Sequence, residues 1–416
     1  MASLHHGTAS FYQRWLQLND WLVQHRGLWQ PAPFTDPCPA WTRQWPALAQ
    51  RVSDLTDGDC TKFDDDPGKL ARLLEPELPS LRAFDDLTRV PALSRFPEQS
   101  CTLPEVRATD MPGRKRLQSG AFAAAIQPLG EDVVDWCCGK GHLSRTLAPL
   151  CAGKVSGFEW NRALVEDGNR LVGKFGDRVI LHCQDVMAET LVMPKAAHGV
   201  ALHACGDLHR RLMRLGTGTG LPRLSFSPCC YHLTEAPDYQ LLSRRARDWH
   251  DTLDLTRNDL RLAVQETVTA PAKVRQQTRR VSGWRLGFDS LQRYLRGVDA
   301  YLPVPSHPSG LVSGDFAGFC RWAAAKKSVE LPEAMDFDHW EAQGERRLRQ
   351  VRRHELVRHL FRRPLELWLV LDYGLFLEEQ GYEVQLGTFC ERQLTPRNLL
   401  IDAVRVQTGH AAQGLR

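Results

Sequence analysis

Between residues 132 and 227 the chain alternates short apolar runs with helical ones, and this alternation limits the fold more than any other feature of its 416 residues. Strands are expected at Asp132–Cys137, Lys154–Glu159, Arg178–Gln184, Gly199–His203 and Arg223–Ser227, with helices from Leu143, over Asn161–Lys174 and over Leu208–Leu215. Strand following helix following strand requires crossover connections, so the strands lie parallel and helices cover both faces. A long apolar helix over Leu365–Glu379 and two strands, Glu383–Phe389 and Asn398–Arg405, extend the pattern. From Leu233 to about Gly344 the alternation breaks, which reads as a helical insertion. The expected class is α/β.

Before the alternation begins, Trp15, Leu18, Trp21 and Leu22 recur at helical spacing and predict an amphipathic helix. Residues 1–104 hold five of the twelve tryptophans (Trp15, Trp21, Trp29, Trp41 and Trp45) and are expected to form a mostly helical extension with these rings in a core or domain contact. Residues 105–408 then form one domain interrupted at about 234–344. The run Asp64-Asp65-Asp66-Pro67-Gly68 reads as a solvated turn. With 43% hydrophobic and 25% charged residues, the composition excludes disordered, collagenous and fibrous classes. The longest apolar stretch near the C-terminus, Leu367–Leu371, falls far short of the ~20 residues of a membrane span. Residues 1–30 lack the charged and apolar regions of a signal peptide, and the twelve cysteines show no CxxC…CxxC spacing. A cytoplasmic protein with reduced thiols, no membrane and no bound metal is expected.

The sharpest stretch runs from Val133 through Asp135, Cys137, Gly139, Gly141, His142 and Leu143 to Ser144: a buried strand ends in an acid, and a Gly-x-Gly turn opens a helix. Glycines there let the backbone bend sharply and pass close to a ligand. Glu159 ends the next strand twenty residues after Gly139, placed to bond two ribose hydroxyls. Asp185, followed by Val186, ends the third, where an adenine amino group needs an acceptor. A dinucleotide fold would want a third glycine where Ser144 stands, and Asp135 would repel a pyrophosphate. The same acid attracts the cationic amino-acid tail of S-adenosylmethionine, which favours that cofactor over NAD. His203, Ala204 and Cys205 end the fourth strand beside the expected methyl group, and Cys229, Cys230, Tyr231 and His232 follow the fifth as candidates to wall the acceptor site. Packing is the competing role for these cysteines and histidines, and a zinc site a minor one.

The run Asp135–Ser144, the segment His203-Ala204-Cys205-Gly206 and the segment Pro228-Cys229-Cys230-Tyr231-His232 together resemble one branch of the class I methyltransferases. That branch contains methyltransferase-like proteins related to the tRNA acceptor-stem 2′-O-methyltransferases and the glutathione-transferase-C-terminal-domain-containing proteins. Met111–Arg116 resembles its basic segment ahead of the cofactor loop, and Leu394–Leu399 the start of its final strand. The resemblance spans roughly residues 111–233 and 364–405. It implies a Rossmann-like seven-stranded sheet with an antiparallel last strand, and a cofactor loop at Asp135, Cys137, Gly139 and Gly141. The Cys/His zinc-finger arrays of the tRNA enzymes are not present near the N-terminus.

Charge bears on the acceptor. Residues 344–363 carry eight arginines, including Arg346, Arg347, Arg349, Arg352 and Arg353, against two glutamates. Lys273, Arg275, Arg279 and Arg280 form a second basic run without an acid. Such runs suit phosphate backbones, so RNA (tRNA or rRNA) is the expected acceptor. A protein or small-molecule acceptor, and a binding module without transfer chemistry, are the alternatives.

Overall fold

The computed structural model describes residues 10–194, 197–265 and 272–406. Seven strands form one sheet: β1 (Asp132–Trp136), β2 (Val155–Glu159), β3 (Val179–Cys183), β4 (Ala197–Cys205), β5 (Arg223–Cys229), β6 (Tyr382–Thr388) and β7 (Leu399–Arg405). Their order is β3-β2-β1-β4-β5-β7-β6, and β7 is antiparallel to both its neighbours while the first five strands are parallel. The expected sheet, with its last strand reversed, is the one that forms. The chain runs outward from β1 to β3 and then returns to place β4 on the other side of β1. The carboxyl ends of β1 and β4 therefore flank a topological switch point, where open parallel sheets bind ligands.

Two compact units divide the chain, and their boundaries differ from those expected. The sheet unit comprises residues 1–23, 87–266 and 363–416, and the second unit residues 24–86 and 267–362. The first 104 residues are thus shared. In the sheet unit, the Trp15 ring stacks on Trp368 at 5.7 Å, and the Trp368 indole N–H donates to Asn19 at 3.2 Å. Trp29 and Trp41 instead lie fully buried in the second unit. The expected insertion is shared as well. Its first part stays with the sheet because buried Asp372 accepts hydrogen bonds from the Leu242 and Ser243 amides and the Ser243 hydroxyl at 2.8–2.9 Å.

The second unit is helical. Its helices Ala272–Arg296 and Phe337–His359 approach at glycines, where a Cβ on Gly344 would stand 2.4 Å from the Gly283 carbonyl oxygen. Trp284, Phe288, Phe316 and Phe319 fill the core beside them. Much of the arginine run is bound here. Arg347 donates to Asp289 at 2.9 Å, Arg353 to the Leu55 carbonyl at 2.8 Å, and Arg352 pairs with Asp57 at 3.2 Å, an acid that Arg279 also contacts. Asp64 is not a solvated turn residue: it accepts from His359 at 2.7 Å and from Arg362 at 2.9 Å. No helix among the described residues is long and apolar enough to cross a membrane.

Asp402 joins β5 to β7. It is 1% exposed and takes two parallel 2.8 Å hydrogen bonds from Arg223, one of 2.6 Å from Ser225 and one of 2.9 Å from Arg95. Burial raises its pKa, but Arg223 outweighs burial and holds the carboxyl below the usual range. Asp402→Asn is expected to cost about 3–5 kcal/mol, because it leaves a buried guanidinium without its counter-charge. The wild-type advantage is present above the ordinary carboxylate pKa and fades as pH falls through the depressed native value. Denaturant unfolding of both proteins at several pH values checks this; a difference below about 1 kcal/mol, the scale of an exposed pair, contradicts it.

Candidate functional site

At the end of β1, Asp135 is 2% exposed and accepts a 2.6 Å hydrogen bond from the Ser144 hydroxyl. Ser144 is therefore a donor that holds the acid, rather than only a missing glycine. The turn between them needs left-handed backbone at Cys137 (φ 58°), Gly139 (φ 57°) and Gly141 (φ 71°). Gly141 faces inward, where a Cβ would meet Leu181 at 2.9 Å; at Gly139 nothing lies within 4 Å of that point. The backbone at Gly139 is thus open to close approach by a ligand. Arg145, fully buried, anchors the following turn by donating to Asp177 at 3.0 Å and to the Arg107 carbonyl at 2.6 Å.

A cavity of about 530 Å³ opens over this turn. Asp135, Cys137, Gly139, His142, Leu143 and His203, all candidates from the sequence, line it. Leu164 and Leu202 add apolar wall, and Asp110, Lys115, Gln118 and Ser119 close the side formed by the helix Gly113–Ala125 and the residues before it. Lys115 falls in the basic segment Met111–Arg116, but Asp110, Gln118 and Ser119 carry no role in the sequence. Their one signal is a buried polar pair, Gln118-Ser119, at the head of the otherwise apolar helix stretch Ala121–Ala125. Five non-glycine residues among those described have positive φ, and three of them, Asp110, Cys137 and His203, line the cavity. A fourth, Cys230, follows β5. Such backbone costs ~1–3 kcal/mol per residue and concentrates at ligand sites.

Glu159 lies behind the turn. Its carboxylate accepts from the Gly139 amide at 3.1 Å and the Asn161 amide at 3.0 Å, fixing the loop and leaving lone pairs for a ligand hydroxyl. Asp185 is exposed at the end of β3 and accepts from the Met187 amide at 2.9 Å, while Val186 is buried beneath it. The Trp160 indole, 75% exposed, projects from the end of β2.

The segment after β5 departs from expectation. Tyr231 is in the core: it is 2% exposed, its hydroxyl donates to Glu366 at 3.4 Å, and its ring meets His209 and Tyr373. Cys229 is buried against Cys205, with the sulfurs 3.6 Å apart. None of Cys229, Cys230, Tyr231 and His232 lines the cavity, and neither do Ala204 and Cys205. Ala204 is buried, and its carbonyl accepts from His209 at 3.0 Å.

Electrostatics single out Asp135. Burial pushes its pKa up to about 7, against the opposing pull of the Ser144 hydrogen bond. Burial also lowers His142 and His203 to about 4, so both imidazoles are neutral at pH 7. The Nδ1 atoms of both rings are buried with no hydrogen-bond partner. A pocket with a buried acid of raised pKa, two unpartnered ring nitrogens and an open glycine backbone fits a polar, cation-bearing ligand.

A family model described as a methyltransferase domain matches residues 121–237, from the end of the helix before β1 to the loop after β5. Over that stretch the chain is similar to a methyltransferase domain. No curated protein matches the chain. Among solved structures, a geranyl diphosphate methyltransferase with its substrate and sinefungin is 20% identical over 27% of this chain and 45% of its own, with a TM-score of 0.24. An rRNA methylase from Streptococcus thermophilus is 15% identical over 27% and 68%, at 0.23. A Pyrococcus abyssi tRNA (uracil-54, C5)-methyltransferase with S-adenosylhomocysteine is 19% identical over 27% and 29%, at 0.24. The chain spans less than half the length of the first, and likenesses this partial carry no functional weight. Of the three acids expected to hold a cofactor, Asp135 lines the cavity, while Glu159 and Asp185 stand at the ends of the neighbouring strands β2 and β3, outside its lining.

Folded Asp135 holds its proton up to about pH 7, whereas in the unfolded chain it ionises near the ordinary carboxylate value, about 4. Ionisation is therefore resisted only in the native state, and this group lowers stability as pH rises through that window. Asp135→Asn is expected to remove the loss and leave the ligand-free protein more stable than wild type at pH 8, with the two converging at pH 4. Thermal unfolding of both across that range checks it; a variant less stable at pH 8 contradicts a strained, buried carboxylate.

Proposed function

We propose that the chain transfers a methyl group from S-adenosylmethionine to RNA. The observation that carries the transfer reading is the cavity at the switch point, with buried Asp135 facing it and Glu159 behind its open glycine turn. The bound sulfonium supplies an activated methyl group to a nucleophile approaching in line. Asp135 ionises to accept the ligand ammonium, whose charge offsets the burial that otherwise keeps the acid protonated. Glu159 orients the ribose, and Asp185 with the exposed Trp160 ring bounds the base. Leu143, Leu164 and Leu202 keep water from the reacting region, where positioning supplies much of the rate.

Support for RNA comes from exposed cations. Arg114 and Lys115 are exposed at the start of the helix that walls the cavity, and Lys115 lines it. In the second unit Arg346 and Arg349 are exposed on the helix Phe337–His359, and Lys273 and Arg275 on Ala272–Arg296. Of the expected contacts, Arg347, Arg352, Arg353 and Arg279 instead serve the fold. That observation favours a second reading, a protein or small-molecule acceptor.

Calorimetric titration is expected to show S-adenosylmethionine and S-adenosylhomocysteine binding in preference to NAD. Asp135→Ala should weaken binding by ~1.5–3 kcal/mol, the loss of a charged hydrogen-bond partner. Binding of NAD alone ends the reading. With methyl-labelled cofactor and RNA from cells lacking this gene, label should enter RNA. Retention should fall steeply with salt, and charge reversal at Arg275, Arg346 and Arg349 should weaken it for every RNA tested. Label in protein or small molecules, with no RNA retention at low salt, selects the second reading.

A further inference from the structure

Outside the cavity, three cysteines gather where β4 and β5 end. Cys205 and Cys229 are paired residues on these neighbouring strands, and their sulfurs are 3.6 Å apart. Cys230 joins them, and the three sulfurs all lie within 4.8 Å of one another. All are free thiols.

Regular strands would not produce this group. Side chains alternate between faces along a strand, so Cys229 and its neighbour Cys230 should point apart. Left-handed backbone at Cys230 (φ 49°) breaks the alternation and brings its sulfur round to the same side. On β4 the register shifts between Leu202 and Cys205, through His203 with φ 64°, and that shift sets Cys205 opposite Cys229. Two costly irregularities, on two strands, converge on one trio of sulfurs. Apolar packing of small side chains needs neither of them.

We infer that Cys205, Cys229 and Cys230 form a zinc site with three sulfur ligands and one open position. Tetrahedral zinc with sulfur at ~2.3 Å places its sulfur ligands about 3.8 Å apart, close to the separation already present. Each thiol gives up its proton as it ligates, so zinc uptake releases protons. A site of three thiolates and one divalent cation carries a charge of minus one, and Arg397 acts electrostatically on both Cys205 and Cys230. No imidazole nitrogen belongs to the close group among the described residues, which leaves the fourth position for water or a small ligand. Buried, unpartnered Nδ1 atoms of His203 and His232 are polar groups available near it. The site stands or falls separately from methyl transfer in the neighbouring cavity.

The test uses the full chain, reduced and stripped of metal, titrated with Zn²⁺ or Co²⁺ alone. One equivalent of Zn²⁺ is expected to bind with proton release and to protect three thiols from a thiol reagent. Co²⁺ should give the intense ligand-to-metal charge-transfer band of thiolate coordination. Cys230→Ser and Cys205→Ser should each lower Zn²⁺ affinity at least about 100-fold without changing the thermal unfolding of the metal-free protein. Cys230 follows the strand, so Cys230→Ser carries the test should Cys205→Ser fail to fold. Absence of the charge-transfer band overturns the assignment. So does Zn²⁺ affinity unchanged in Cys230→Ser, or a Cys205–Cys229 disulfide forming in air in a protein that takes up no metal.

Discussion

Ser144 donates to Asp135 across the turn that leaves β1, and the site is arranged around that 2.6 Å bond. Asp135 is 2% exposed on the central strand β1, between β2 and β4. The Ser144 hydroxyl and the Ser144 backbone both stabilise the carboxylate, offsetting part of the cost of burial without cancelling it. A residual demand for a cation is therefore built into the free protein. Around this centre the turn has little freedom: Gly141 is closed against Leu181, Glu159 grips the Gly139 amide, and Arg145 pins the following helix to Asp177.

Backbone strain is the second feature the strand ends share. Cys137 and Cys230 leave β1 and β5 in the left-handed region, and His203 adopts it near the end of β4, at ~1–3 kcal/mol each. At Cys137 and His203 the strain aims backbone and side chains at the cavity. At Cys230 it assembles sulfurs instead. One edge of the sheet thus presents two adjacent chemistries, an acidic polar pocket and a soft thiol cluster. The Gly206 amide donates to the Cys229 carbonyl and the Asp207 amide to the Leu233 carbonyl, both at 3.0 Å, a close approach that a Cβ on Gly206 would block.

The sheet was legible because its signals are local. Alternating apolar runs marked all seven strands to within a few residues, and Asp135, Gly139 and Glu159 declared themselves by sitting where strands end. What escaped depends on long-range packing. Nothing near Tyr231 in sequence says that Glu366, His209 and Tyr373 will enclose it. Counting arginines could not reveal that Arg347 serves Asp289, or that Arg352 and Arg279 serve Asp57 from elsewhere in the chain. Division into two discontinuous units was hidden for the same reason: Trp15 and Trp29, fourteen residues apart, are buried in different cores. Asp110 and Gln118 reach the cavity only through the path of the segment before β1.

The central claim is that the switch-point cavity holds S-adenosylmethionine through Asp135 and Glu159. A crystal structure of the full chain with S-adenosylhomocysteine tests it most directly. The account predicts the ligand's ammonium on Asp135, its ribose hydroxyls on Glu159 and its chain passing over Gly139. A ligand bound elsewhere, or one in the cavity whose ammonium makes no contact with Asp135, would contradict it.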